Sequence, residues 1–216
     1  MDQKAFRKLL TASEFAIFKK LDSPAKTQDF LDTIPFNHET HGETYMSPRR
    51  MLRAGVAHCF EGALFAAAAL SLNGEKPLLL DLNAERGDQD HVAVLFQRNG
   101  YWGAISKTNH AVLRYRDPVY KSVRELALSY FHEYFLEDGR KTLRSYSKPF
   151  DLSKYPLESW LTFEEDLVWI ANALTEAKHF PIAPRSNMRV LRKATPFEIQ
   201  TVAPIEWNIR SKKKRS

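Results

Sequence analysis

Apolar side chains at Phe6, Leu9, Leu10, Phe15, Phe18 and Leu21 recur close to the helical period and predict one helix over residues 2–20. Ser23 before Pro24 has the form of an N-cap with proline in the first turn. It opens a second short helix carrying Phe30, Leu31 and Ile34. Residues 35–48, PFNHETHGETYMSP, lose the hydrophobic period and predict a polar loop. The segment 57–73 is apolar nearly all round, so it predicts a buried helix. Its stripe of Cys59, Ala63, Ala66, Ala67 and Leu70 is small enough for a sheet to pack closely, and Asn73-Gly74 ends it. Strands are predicted over 77–82, 91–97 and 101–107, the last two joined by a hairpin at Asn99-Gly100. Amphipathic helices are predicted over 119–136 and 163–177, after which the chain is irregular and punctuated by proline.

Composition narrows the class. At 216 residues, 44% hydrophobic and 12% aromatic, with 8 Gly and 11 Pro, the chain has the make-up of a globular fold. The expected organisation is a single domain over 1–209, with a helical lead-in at 1–35 and a core at about 47–180, followed by a basic tail at 210–216. The longest apolar run, 63–72, is far short of the roughly 18 residues that span a bilayer, which excludes a membrane helix. The opening MDQKAFRKLL has no apolar signal region, and the lone cysteine excludes an internal disulfide, so a reducing cytoplasmic setting is expected. The net charge of +6 owes five positive charges to Arg210, Lys212, Lys213, Lys214 and Arg215. A near-neutral body argues against a dedicated nucleic-acid surface.

The order of elements suggests a nucleophile. Cys59 falls in the first turn of the buried helix, where unpaired N–H groups and the macrodipole favour a thiolate. Asp90-His91 opens the second strand, a polar pair for which a core strand has no packing use. A His91 imidazole beside Cys59 can take the thiol proton, and the Cys59 N–H can bind an oxyanion. A small buried core residue is the competing account of a lone cysteine in an alanine-rich helix.

The stretches AHCFEGALFAAAAL, DHVAVLF and GYWGAIS, spanning about residues 55–106, resemble the transglutaminase-like branch of the papain-type cysteine enzymes. The longer run through WGAISKTN, RYRDPVYKSVRELALSYF and KTLRSYS is similar to an uncharacterised bacterial group of such proteins. The resemblance implies an α+β papain-like fold, with a Cys-bearing helix packed on an antiparallel sheet, Cys59 as nucleophile and His91 as base.

This sequence departs from that pattern at the third residue, since no carboxylate follows Trp102 before Asp117. Hairpin register sorts the candidates. A two-residue turn at Asn99-Gly100 sets His91 opposite Thr108 and puts Ser106 on its side of the sheet, whereas a bulge at Gly100 puts Asn109 there. Asn109 is the preferred orienting residue, its amide oxygen holding the ring, and Asp117 is the second choice.

His38, Glu39 and His41 form H-E-x-H, the wrong spacing for a helical zinc site, and no glycine-rich phosphate loop is present. No metal or cofactor is therefore expected. His58 beside the thiol can add positive potential, Tyr101 and Trp102 read as a packing pair, and Arg114, Arg116 and Arg124 read as solvated or ion-paired. The expected function is thiol-dependent acyl chemistry on a peptide or amide, by hydrolysis or acyl transfer. The alternative is an inactive binding module with a basic tail.

Overall fold

The computed structural model describes residues 3–40 and 42–202. The predicted basic tail and His41 lie outside them. The predicted first helix is two, α1 (Gln3–Leu9) and α2 (Ala12–Lys20). The break comes at Thr11, whose hydroxyl accepts from the Glu14 N–H while Glu14 caps Thr11 in return, a reciprocal box that starts a helix afresh. Helix α3 (Pro24–Thr33) begins at the Ser23 cap as expected. The polar loop is followed by α4 (Pro48–Ala54), started by Ser47 and ended by Gly55 in the left-handed conformation at φ 66°. That turn brings the chain round to α5 (Cys59–Leu72), buried along its whole length from Phe60 onward.

The sheet is antiparallel throughout and has seven strands among the described residues. Strands β1 (Leu78–Ala84), β2 (His91–Arg98), β3 (Tyr101–Ser106) and β4 (Arg116–Tyr120) lie side by side, with β5 (Leu143–Ser147) on the other edge of β1. A two-residue strand, β6 (Phe150–Asp151), also pairs with β1, and β7 (His179–Pro181) completes the edge beyond β5. The predicted helix over 119–136 is shorter: its first residues form β4, with Pro118 tolerated on an edge strand, and Ser122 caps α6 (Val123–Phe131). Helices α7 (Glu158–Leu161), α8 (Val168–Glu176), α9 (Arg185–Met188) and α10 (Pro196–Thr201) follow. The result is a mixed α+β architecture. Among the described residues no helix is long and apolar enough to cross a membrane.

Alternation along the central strands builds two cores. Leu79, Val92, Val94, Phe96 and Ile105 face α5, while Leu80, Leu82, Ala93, Leu95 and Ala104 face α6 with its Leu126, Ala127 and Tyr130. Strands β1 to β3 are therefore apolar on both sides, which is why they read as continuous hydrophobic runs. The β2–β3 turn is the tight two-residue form: Asn99 and Gly100 take φ 52° and 83°, and pairing runs from Arg98↔Tyr101 to Ala93↔Ser106 without a bulge.

Gly62 sets how closely α5 approaches the sheet, because a Cβ there would fall on the Cβ of Lys107, a residue fully buried just beyond β3. Gly62→Ala should lower unfolding free energy by about 1–3 kcal/mol despite alanine's better helix propensity, since overpacking outweighs that gain. A urea melt with an unchanged or raised midpoint would contradict the close contact.

Candidate active site

The first turn of α5 is held by a hydrogen-bond box of unusual composition. His58 is the N-cap: its Nδ1 accepts from the Phe60 N–H at 3.1 Å, and its own backbone N–H donates to Glu61 Oε2 at 3.0 Å. Glu61 is fully buried and also accepts from the Thr44 hydroxyl at 2.8 Å, the Met46 N–H at 3.3 Å and Asn37 Nδ2 at 3.3 Å. His58 Nε2 donates to the Thr44 carbonyl at 2.7 Å and lies 3.3 Å from Glu39 Oε1. The predicted loop is thus laced to the helix tip.

Cys59 is the first residue of α5 and keeps part of its surface open. The imidazoles of His58 and His91 are the groups that act on its sulfur. Burial pushes the thiol up, but the two imidazoles beside it prevail and hold it well below the ordinary thiol range. Burial likewise pulls His58 down, and the Cys59 bond and charge, with Glu61 and the Thr44 carbonyl, reverse this and raise it to about 10. The Phe60 N–H requires a lone pair on Nδ1, so the cap and the imidazolium are alternative states of one ring: neutral and capping beside a thiol, charged beside a thiolate.

His91 is fixed from its other side. Ser106 Oγ donates to the Leu113 carbonyl at 2.6 Å, so toward His91 Nε2, also 2.6 Å away, it accepts. Nε2 then carries the hydrogen, and Nδ1 is left to exchange a proton with sulfur. Ser106 is itself clamped by buried Gln28, which bonds its backbone N–H at 3.0 Å and its carbonyl at 2.9 Å. Cys59 and His91 thus line one cavity, and the residue bonded to His91 is Ser106 rather than Asn109 or Asp117. The tight Asn99-Gly100 turn selects the register that favours Ser106. Asn109 lines the cleft near the pair, but among the described residues it makes no hydrogen bond to His91. Asp117 stands exposed on edge strand β4, away from the cleft.

Two cavities meet at Cys59. One, about 110 Å³, includes His91, Asn109 and Tyr134 in its lining, and the other, about 570 Å³, includes His58, Glu39 and Asp81. Arg114 pairs with Asp32, Arg116 with Glu133 and the Tyr130 ring, and Arg124 with the Ile182 carbonyl, so these cations are committed elsewhere. Among the described residues no three His, Cys, Asp or Glu side chains gather as metal ligands.

Sequence reasoning missed a second pair. Asp81 on β1 is 4% exposed, and its Oδ2 is hydrogen-bonded with His179 Nε2 at 3.0 Å, while His179 Nδ1 donates to the Ala177 carbonyl at 2.7 Å. The available signal was a lone charged residue within PLLLDL. Burial raises Asp81 to about 6, with the charges of Asp90 and Cys59 adding to it and His179 opposing.

A carboxyl raised in the fold is stabilising while protonated, and that contribution is lost as pH rises from its ordinary 3.8 through about 6. The loss is about 3 kcal/mol at 1.36 kcal/mol per unit. Asp81→Asn should therefore gain roughly that much relative to the parent protein between pH 4 and pH 7 by urea unfolding; equal pH dependence in both would show that Asp81 is not destabilised by burial. Compared with protein-family models and with curated proteins, the chain finds no match in either.

Proposed function

We propose that the protein is a cysteine enzyme of papain-like, transglutaminase-like type that performs acyl chemistry on an amide or peptide. The observation that carries this reading is a sulfur at a helix start, partly open to a cleft that His58 and His91 also line, with its thiol lowered by those two imidazoles. A cysteine kept only for packing gains nothing from such partners. The Cys-bearing helix packed on an antiparallel sheet, with the histidine opening the next but one element of that sheet, supports the papain-like type.

In the first half-reaction the proton of Cys59 passes to His91 Nδ1 and the sulfur attacks the acyl carbon. The carbonyl oxygen becomes an oxyanion within reach of the Cys59 N–H, one of the unpaired donors at the helix tip. Imidazolium His91, steadied through Nε2 by Ser106, returns the proton to the leaving amine as the carbon–nitrogen bond breaks. Water or a second amine, deprotonated by His91, then resolves the thioester. Ser106 fills the orienting role without a charge, through a hydroxyl whose own hydrogen is directed at Leu113. His58 acts as a second source of positive potential at the sulfur.

Alkylation by iodoacetamide tests the reading, because Cys59 is the chain's one thiol. A thiol near its ordinary pKa of about 8.5 loses on the order of a hundredfold in rate from pH 8 to pH 6. With its pKa lowered, Cys59 keeps its thiolate as pH falls, and its rate should change by less than about threefold over that window. His91→Ala should restore a steep decline. A parent profile as steep as that of a free thiol, or no labelling of the native protein, would leave an inert scaffold instead.

A further inference from the structure

The side-chain amide of Gln28 lies at the end of β3, where β4 has already left the sheet. Pairing between these strands runs no farther than Ala104↔Arg116, so the next position of β3 facing that side, Ser106, has no strand beside it there. Gln28 projects from α3, is 5% exposed and takes that place. Its Oε1 accepts from the Ser106 N–H at 3.0 Å, and its Nε2 donates to the Ser106 carbonyl at 2.9 Å. One amide thus supplies what a neighbouring strand would. The second hydrogen of Nε2 goes to Asp32 Oδ1 at 2.9 Å, one turn along the same helix. Both hydrogens and the oxygen of the amide are used, which fixes its orientation.

Asp32 joins this clamp to the segment that follows β3. Its Oδ1 also accepts from the Arg114 guanidinium at 2.9 Å, and Arg114 Nε donates to the His110 carbonyl at 2.9 Å. Between His110 and Arg114 stands Leu113, held in the left-handed region at φ 59°, a conformation costly for leucine. Its carbonyl is the acceptor for the Ser106 hydroxyl. Gln28, Ser106, Leu113, Arg114 and Asp32 therefore close a ring of contacts. That ring fixes both the backbone of Ser106 and the direction of its hydroxyl, and the bond from His91 Nε2 ends on it.

Resting on the cysteine-enzyme reading, we infer that Gln28 is a positioning residue of the site: it acts through Ser106 to hold the His91 ring with Nε2 toward the hydroxyl and Nδ1 left to exchange a proton with Cys59. A hydrogen bond donated by a charged ring is stronger than one donated by a neutral ring, so an accepting Ser106 Oγ at 2.6 Å favours imidazolium over imidazole. What favours the imidazolium favours the thiolate that gave up its proton. A role confined to packing would need only an apolar side chain of similar length at position 28.

The pH midpoint of Cys59 alkylation by iodoacetamide, followed on the full chain from about pH 4 to pH 9, tests the link. Gln28→Met keeps the length of the side chain and removes the hydrogen bonds of its amide. It should raise the midpoint by about one unit, a reaction about tenfold slower below it, and leave the rate at pH 9 unchanged. Ser106→Ala should raise the midpoint at least as far, and the double variant no farther than Ser106→Ala alone, because Gln28 acts through that residue. Asp32→Ala, at an exposed position, keeps Gln28 and loosens its hold, and should shift the midpoint less in the same direction; it carries the test where Gln28→Met does not fold. Asp88, Asp90, Lys107, His110, Glu133 and Tyr134 share the cavity with Cys59 and His91 and are left in place by all of these substitutions. Nitrogen-15 NMR should show the hydrogen of His91 on Nε2 in the parent and a mixture of tautomers in Gln28→Met. A midpoint indifferent to Gln28→Met and to Asp32→Ala, one that Gln28→Met moves and Ser106→Ala does not, or shifts that add in the double variant, overturns the inference whatever stability is lost in urea, and leaves the nucleophile standing. A parent profile as steep as that of a free thiol takes the cysteine-enzyme reading down, and the positioning role with it.

Discussion

Glu61 is the constraint on which the site rests. A carboxylate with no exposed surface is expensive to bury unless each lone pair is used, and here four donors from two segments supply that use: Asn37, Thr44 and Met46 from the loop and the His58 N–H from the helix cap. Position N3 also places its charge where the helix dipole favours it. Through this one side chain a loop with no regular structure acquires a fixed place over the start of α5. His58 thereby gains the Thr44 carbonyl that fixes its ring, and Cys59 the wall of a cleft.

The parts of this arrangement that a sequence shows are those encoded by local pattern. Helix α5 was legible because alanines and leucines occupy all its faces, and the β2–β3 hairpin because Asn-Gly is suited to two consecutive left-handed residues. The adjacency of Cys59 and His91 followed from their positions at element ends. Errors came where a capping signal was outweighed by apolar spacing. Thr11-x-x-Glu14 and Ser122-x-x-Glu125 both mark fresh helix starts, and reading through them merged α1 with α2 and β4 with α6. Asn109 shares the side of His91 only if the hairpin carries a bulge, which the turn does not make. Asp81 and His179 lie 98 residues apart in sequence, and their pairing depends on β1 and β7 flanking β5, an order no local pattern records.

His58 carries two demands that conflict. As N-cap it must keep a lone pair for Phe60, and as partner of an anionic sulfur it must carry a proton. An aspartate or serine would cap better but offers no positive charge to a thiolate. The histidine trades some certainty of capping for electrostatic support of Cys59. The weakened cap is made up by Glu61, which satisfies the His58 N–H whatever the ring does.

The cleft sets carboxylates against the same sulfur that the imidazoles stabilise. Proximity decides this contest: the two imidazoles are the groups that lower the thiol, and nearer charges outweigh more distant ones in a partly solvated site. The opposition is nonetheless real, since Asp81 and Cys59 each disfavour the other's charged form.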